Sequence, residues 1–280
     1  LMQLLKMVEP FPLGQYGRHS AEAVHLMTEA ERRVYADRAA HLGDPDFYPV
    51  PRSGLLDSAY IRQRMSDFQP DKATPSDSVA AGKPMPESDQ TTHFSIVDAW
   101  GNAVSVTTTL NGGYGSSVVV GGAGFLLNNE MDDFSIKPGV PNAYGLVSAK
   151  ANAIEPAKRM LSSMTPTIVT RNDSLFMVVG TPGGATIITS VFQNIVNVID
   201  FGYGMQESVS ATRFHSQWLP DKIFMEEGAF DAAVSARLEA MGHVLLPREP
   251  IGRVDAILLL PDGRLEGGAD PRGDDFAAGY

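Results

Sequence analysis

The sequence predicts an α+β fold in which antiparallel sheets stack and are covered by helices. Three observations carry that expectation. Paired strand patterns joined by short turns occur at residues 94–109, 167–179 and 254–267. A long apolar helical stretch at 185–199 follows directly on the second pair, and no internal repeat divides the chain.

The elements follow in order. The opening Leu-Met-Gln-Leu-Leu-Lys-Met is too short in its apolar part for a signal peptide and has no small-residue cleavage site, so it reads as part of a helix inside a larger protein. Ser20 is placed as N-cap of a helix over 21–42, where Val24, Met27 and Val34 recur at helical spacing and Gly43 supplies the stop. Residues 66–89 turn to Ser, Asp, Pro, Lys and Gly, with Pro70, Pro75, Pro84 and Pro86 opposing regular structure, and read as a mobile linker. Phe94, Ile96 and Val97 then alternate into a turn at Trp100-Gly101-Asn102, and Val104, Val106 and alternating threonines run out to Thr109. The second pair, 167–169 and 175–179, flanks Arg171-Asn172-Asp173 and leads into the helix at 185–199. A polar helix at 231–241 and a hairpin of 254–260 with 264–267, turning at Asp262-Gly263, complete the chain.

Composition narrows the chemistry. The chain has 280 residues, 43% of them hydrophobic, enough for one large domain or two small ones. Its net charge of −11 repels nucleic-acid phosphates and anionic lipid heads. There is no cysteine, so disulfides, thiolate metal sites and cysteine nucleophiles are excluded. No apolar run approaches the roughly 20 residues that span a bilayer.

Chemistry concentrates where a strand beginning Thr91-Thr92-His93-Phe94 follows a linker ending Asp89-Gln90. A threonine hydroxyl needs a base, and the α-amine of a threonine made N-terminal by cleavage, with a pKa near 8, can be that base. By pattern alone, a strand that merely contains threonines is the better reading.

The run Thr91-Thr92-His93-Phe94-Ser95-Ile96-Val97-Asp98, followed by Gly101-Asn102-Ala103-Val104, resembles the start of the small subunit of the γ-glutamyltransferases, members of the N-terminal nucleophile hydrolase superfamily. Leu127-Asn128-Asn129-Glu130-Met131-Asp132-Asp133-Phe134-Ser135, Leu161-Ser162-Ser163-Met164-Thr165-Pro166, Thr181-Pro182-Gly183-Gly184 and Asp270-Pro271-Arg272 follow in the family's order. Upstream, Tyr35-Ala36-Asp37-Arg38 and Leu42-Gly43-Asp44-Pro45-Asp46-Phe47 extend the similarity over essentially the whole chain.

The resemblance implies a four-layer αββα sandwich and autocatalytic cleavage between Gln90 and Thr91. Residues 1–65 would then be the helical end of the large subunit, 66–90 a linker to the cleavage site, and 91–280 the small catalytic subunit. Thr91 would be the nucleophile and Thr109 would orient its hydroxyl. Asn111, Glu130 and Asp133 would hold the donor's α-ammonium, an arrangement that suits carboxylates beside an amide; many bacterial relatives carry Gln where this chain has Glu130. Ser162 and Ser163 would bind the α-carboxylate, and Gly183 and Gly184 would offer backbone N–H groups as the oxyanion hole. Residues 137–149, around Tyr144, resemble the family's lid loop. By residue type alone the alternatives stay simple: strand threonines, a calcium-like acidic cluster or a solvated loop at Glu130, Asp132 and Asp133, serine capping and a helix-start turn.

Other motifs carry less. The runs Gly112-Gly113-Tyr114-Gly115 and Gly121-Gly122-Ala123-Gly124 fit neither a dinucleotide fingerprint nor a phosphate loop, and read as tight turns. Histidines 19, 25, 41, 93, 215 and 243 lack metal-ligand spacing and read as isolated, satisfied side chains. No cofactor or metal is expected. The implied reaction is transfer of a γ-glutamyl group from glutathione or a similar amide to an amino acid, a peptide or water, by two subunits cut from one precursor, in the periplasm or outside the cell. The family's large subunit is longer than the ninety residues before the cut and supplies an arginine for the α-carboxylate, so this chain reads as a part that can be inactive alone. Two further readings stay open: a related acylase or poly-γ-glutamate-processing enzyme, and an uncleaved, non-catalytic homologue that acts as a binding partner.

Overall fold

The computed structural model describes residues 1–80, 91–135, 137, 139, 140, 146 and 148–279. In chain order the helices and strands begin with α1 (Met2–Val8), α2 (Ala21–His41), α3 (Arg52–Leu55) and α4 (Ser58–Arg64), followed by β1 (Thr91–Val97) and β2 (Ala103–Thr109). Next come β3 (Thr167–Arg171), β4 (Ser174–Gly180), α5 (Thr186–Ile199) and α6 (Met205–Ser210). The chain ends with β5 (Phe214–His215), β6 (Ile223–Met225), α7 (Ala232–Ala240), β7 (Leu245–Pro247), β8 (Asp255–Leu259) and β9 (Leu265–Gly268). The α+β class is as expected, and the three expected hairpins and the four expected helices, α1, α2, α5 and α7, all form. No helix among the described residues is long and apolar enough to cross a membrane.

Two compact units share the chain, each assembled from separate stretches. The first combines Leu1–Ser88, Asn129–Ser162 and Phe214–Arg248; the second combines Asp89–Asn128, Ser163–Arg213 and Glu249–Tyr280. The expected divisions at 65 and 90 describe how the chain would be processed, whereas these units describe how it packs.

The first unit is built on α2. The Ser20 hydroxyl accepts the Ala23 N–H at 3.2 Å, which satisfies one of the helix's orphan donors. The helix is buried almost all round, including Glu29, Glu31, Arg32, Arg33, Asp37 and Arg38. Buried charges persist only when paired. Glu29 accepts from Arg32 and Arg33, and Arg64 approaches Asp37 at 3.1 Å.

The same polar groups fasten residues 67–79, which the sequence marked as linker. Arg33 donates to Asp67 at 2.7 Å, the Thr74 N–H to Glu29 at 3.0 Å and the Ser76 N–H to Asp221 at 2.7 Å. The Trp218 indole donates to the carbonyls of Ser76 and Val79. Prolines here exclude regular structure beyond one 3₁₀ turn, Ser76–Ser78, but the backbone groups they leave open are taken up by side chains of other elements. The remainder of that linker, 81–90, lies outside the described residues.

The second unit is layered. The β1–β2 hairpin is antiparallel with Thr91 opposite Thr109, and the four-stranded sheet has the order β3-β4-β8-β9. The hairpin lies face to face on that sheet. Its side chains donate into the sheet's backbone, Ser95 to the Asp255 carbonyl at 3.2 Å and Ser105 to the Val179 carbonyl at 3.3 Å. Helices α5 and α6 pack against β4, β8 and β9 of the same sheet. This unit therefore supplies helix, sheet and sheet in sequence, three layers of the kind the αββα expectation requires.

One close approach sets the spacing of the two sheets. His93, inward-facing on β1, lies so near Gly180 that a Cβ there would stand 2.2 Å from its Cε1. Only glycine leaves room for the ring. The turn between β3 and β4 has Asn172 and Asp173 both at positive φ, the backbone that two-residue hairpin loops favour.

Candidate active site

The hairpin register decides where the threonines meet. In β1 the odd positions Thr91, His93 and Ser95 share the face toward the neighbouring sheet, while Phe94 and Ile96 are exposed. Pairing with Thr109, Thr107 and Ser105 on β2 makes this inward face polar. Thr91 Oγ1 lies 3.3 Å from Thr109 Oγ1, and the Asn111 N–H donates to the same Thr109 oxygen at 2.8 Å. A hydroxyl that accepts the Asn111 N–H keeps a proton of its own, so the threonine pair can be bonded in either direction.

Asn111 sustains this arrangement with an uncommon backbone. Its φ is +72°, a left-handed conformation that asparagine tolerates better than most residues, and it is buried. The chain there leaves β2 and turns sharply, forming a cleft of about 260 Å³ lined by Thr91, Thr92, Thr108, Thr109, Leu110, Gly112 and Gly113. The glycine run reads as a turn, as expected: the Gly115 N–H donates to the Gly112 carbonyl at 2.8 Å.

His93 is held by two hydroxyls, Thr107 Oγ1 at 2.8 Å from Nδ1 and Ser95 Oγ at 3.1 Å from Nε2. Burial pushes its pKa down to about 4, so the ring is neutral at neutral pH. It packs and bonds without carrying charge to the threonines.

Gly183 and Gly184 occupy the turn from β4 into α5. Their φ values are +136° and +54°, and the Thr186 N–H and Oγ1 both bond back to the Gly183 carbonyl. A Cβ on Gly183 would meet Thr186 Oγ1 at 2.6 Å. Helix α5 has no acidic residue in its first turn, so the positive end of its dipole is not offset locally.

The acidic residues lie in the first unit. Glu130–Asp133 form a 3₁₀ turn. Burial pushes the Asp133 carboxyl up to about 6, with Arg38 opposing the shift and Glu130 and Asp132 adding to it. Burial also raises Glu130. Ser162 ends this unit and Ser163 begins a stretch of the second, so the chain crosses between units at the expected serine pair. Arg159, three residues earlier, is gripped by Asp44 through its backbone N–H at 2.9 Å and its guanidinium at 2.6 Å and 3.0 Å. Gln90 and Tyr144 lie outside the described residues, as does most of 141–147.

One pairing was not legible from spacing. His25 and His243, read as isolated, are 2.7 Å apart between Nδ1 and Nε2, and the Glu29 carboxylate completes a buried cluster. This is a hydrogen-bonded pair. Two imidazoles on one tetrahedral ion would stand about 3.4 Å apart. The other His25 nitrogen engages the Gln69 carbonyl, and Glu29 is committed to Arg32, Arg33 and Thr74.

Comparison with known proteins gives concordant results. The family description "Gamma-glutamyltranspeptidase" matches residues 1–280. The glutathione hydrolase proenzyme of Escherichia coli strain K12 is 49% identical over 282 residues, covering 100% of this chain and 48% of that protein. A crystal structure of a γ-glutamyltranspeptidase mutant from Helicobacter pylori aligns with a TM-score of 0.64 at 56% identity, covering 65% of this chain and 100% of that one. Cephalosporin acylase from Bacillus halodurans aligns with a TM-score of 0.82 at 26% identity over 100% of this chain and 48% of its own. The chain spans about half the length of the curated relatives it matches.

Proposed function

The chain belongs to the γ-glutamyltranspeptidase family, and from that premise we propose that it carries the nucleophile of a glutathione hydrolase and γ-glutamyltransferase, released by cleavage between Gln90 and Thr91. The observation that carries the reading is the hydroxyl pair of Thr91 and Thr109, 3.3 Å apart at the open end of a hairpin and facing a cleft. A first-strand threonine with a hydroxyl partner is what this chemistry needs.

In the precursor, Thr91 Oγ1 attacks the Gln90 carbonyl carbon. The peptide C–N bond breaks, an ester forms, and water hydrolyses it to leave a Gln90 carboxylate and a free Thr91 α-amine. In turnover, Thr91 Oγ1 attacks the γ-carbonyl carbon of the donor while its own α-amine takes the hydroxyl proton and delivers it to the leaving amine. The γ-glutamyl ester is then resolved by an amino acid, a peptide or water. Thr109 orients the hydroxyl, and the backbone N–H groups at Gly183 and Gly184 receive the oxyanion. Asn111, Glu130 and Asp133 hold the donor's ammonium, and Ser162 and Ser163 its carboxylate. The cut subunits remain together as a heterodimer, and the site is periplasmic or extracellular.

A second reading is favoured by the full-length alignment to an acylase: the same nucleophile acting on a donor without the α-amino acid head. Glu130 and Asp133 favour the γ-glutamyl donor, because a donor without an α-ammonium gives those carboxylates nothing to pair with. Mass spectrometry of the full-length protein tests the proposal. A new N-terminus at Thr91, with roughly 20 kDa of this 30.1 kDa chain following the cut, and covalent labelling of Thr91 by a glutamine analogue are expected. An uncut chain that nonetheless hydrolyses γ-glutamyl amides would sink it.

A further inference from the structure

The acidic turn and the serine pair belong to irregular backbone, so no ladder of hydrogen bonds holds their separation. The side chain of Asn152 reaches from the acidic turn to the residue before Ser162. Asn152 is fully buried, at the end of the 3₁₀ turn Lys150–Asn152. Its Nδ2 donates to the Asp133 carbonyl at 2.7 Å, and its Oδ1 accepts the Leu161 N–H at 2.9 Å. Donor faces carbonyl and acceptor faces N–H, so one orientation of the amide satisfies both contacts.

The backbone of Asn152 is itself fixed. Its carbonyl accepts the Ser135 N–H at 2.8 Å and its N–H donates to the Ala149 carbonyl at 3.1 Å. The Ala149 N–H in turn donates to the Ala39 carbonyl of α2 at 2.8 Å. Just past the end of α2, Gly43 lies against the neighbouring peptide so closely that a Cβ would stand 2.3 Å from the Ala151 carbonyl oxygen. A rigid helix thus holds Asn152, and Asn152 holds both the Asp133 turn and the residue that precedes Ser162.

We propose that Asn152 is a positioning residue for donor selectivity, setting the separation between the groups that take the donor's α-ammonium and those that take its α-carboxylate. The inference rests on the roles proposed above for Glu130, Asp133 and Ser162. A donor bearing both charges is bound in two places at once, and its advantage over a donor with one charge depends on the two places staying in register. Asn152 touches no reacting atom; it acts through Asp133 and Ser162.

The experiment uses the full-length protein and three p-nitroanilides: L-γ-glutamyl, glutaryl, which lacks the α-amino group, and 4-aminobutyryl, which lacks the α-carboxylate. Asn152→Ala removes both side-chain bonds. It is expected to raise KM for the γ-glutamyl donor about tenfold with kcat within about twofold, and to shrink the preference over both truncated donors together. Asn152→Asp keeps an acceptor for Leu161 but not a donor for Asp133, so the preference over the glutaryl compound falls while that over the 4-aminobutyryl compound is retained. Asn194→Ala is the control for a buried asparagine that bridges two helices elsewhere, α5 to α6 through Ser190 and Ser208. It is expected to lower stability without changing either preference. The inference is overturned if Asn152→Ala keeps both preferences within about twofold of wild type, or changes them no more than Asn194→Ala. If the wild-type protein is not cut at Thr91, or shows no preference among the three donors, the proposed function fails first and this inference with it.

Discussion

The hairpin that carries Thr91 and the turn that carries Asp133 are positioned by opposite means. On the hairpin, seven consecutive residue pairs from Thr91↔Thr109 to Val97↔Ala103 place each side chain by register alone, and a shift of one residue would turn every hydroxyl to the other face. On the turn there is no ladder. The Asp133 carbonyl is held by the side-chain amide of Asn152, and its carboxyl feels burial and the field of Arg38. Backbone register tolerates most side-chain changes outside the paired positions, whereas a site fixed by side chains depends on each of them. Errors at the first region should therefore appear in cleavage and kcat, and errors at the second in KM.

The largest effect that tests this contrast is at Thr91, the proposed nucleophile. Thr91→Ala should abolish both the new N-terminus and turnover, since no other hydroxyl stands at that register position. Thr109→Val keeps the strand and removes the oxygen that bonds Thr91 and Asn111; cleavage and kcat should fall about a hundredfold while KM for donor stays close to wild type. A rise in KM with cleavage intact would mean that the hairpin acts in recognition, and the contrast would collapse.

A smaller effect probes how the hairpin is seated. Gly180→Ala would drive a methyl into the His93 ring, which has Thr107 and Ser95 on its two nitrogens and nowhere to swing without losing them. A cost of about 1–3 kcal/mol is expected, read as a lower denaturation midpoint with slower cleavage. Unchanged stability would show that the two sheets can separate at that point, and that hydroxyl placement is set within the hairpin.

Legibility in the sequence follows the same division. The hairpins and the helices α2, α5 and α7 could be read because period, cap and turn residues agree: Ser20 and Asp231 each accept a first-turn N–H, and Asp262-Gly263 turns the last pair. The strands β5, β6 and β7 have two or three residues each, too few for an alternation to show. Residues 67–79 looked free because composition counts prolines and charges, while their anchors, Glu29, Asp221 and Trp218, lie far away in sequence. At the site, Thr91 and Thr109 stood at readable strand ends, but the roles of Glu130, Asp133 and the serines came only from resemblance. Asn152 left no signal at all, since a buried asparagine in a loop has no pattern; its two partners, nineteen residues back and nine ahead, appear only in three dimensions. The His25–His243 pair was hidden for the same reason, its members being 218 positions apart.

The smallest effect at neutral pH, and the one specific to the turn, concerns protonation. Asp133 has its pKa pushed up to about 6 by burial, with Arg38 pulling it down and Glu130 and Asp132 pushing it up. An ammonium binds the ionised carboxylate, so kcat/KM for a γ-glutamyl donor should rise as pH increases through about 6, this ionisation by itself costing about tenfold for each unit below it. The Thr91 α-amine must also be unprotonated to act as base, which adds a second rise near pH 8 in the same direction. The two limbs separate by substitution. Asp133→Asn should remove the limb near 6 and leave the one near 8, because an amide does not titrate, whereas Thr109→Val should lower the whole profile without moving either limb. The donor without an α-amino group supplies the complementary check: its kcat/KM should follow the Thr91 amine alone and show no additional fall below pH 6, since it presents no cation for Asp133 to hold. A limb near 6 that survives both Asp133→Asn and the change of donor would assign the titration elsewhere and remove the turn from donor recognition.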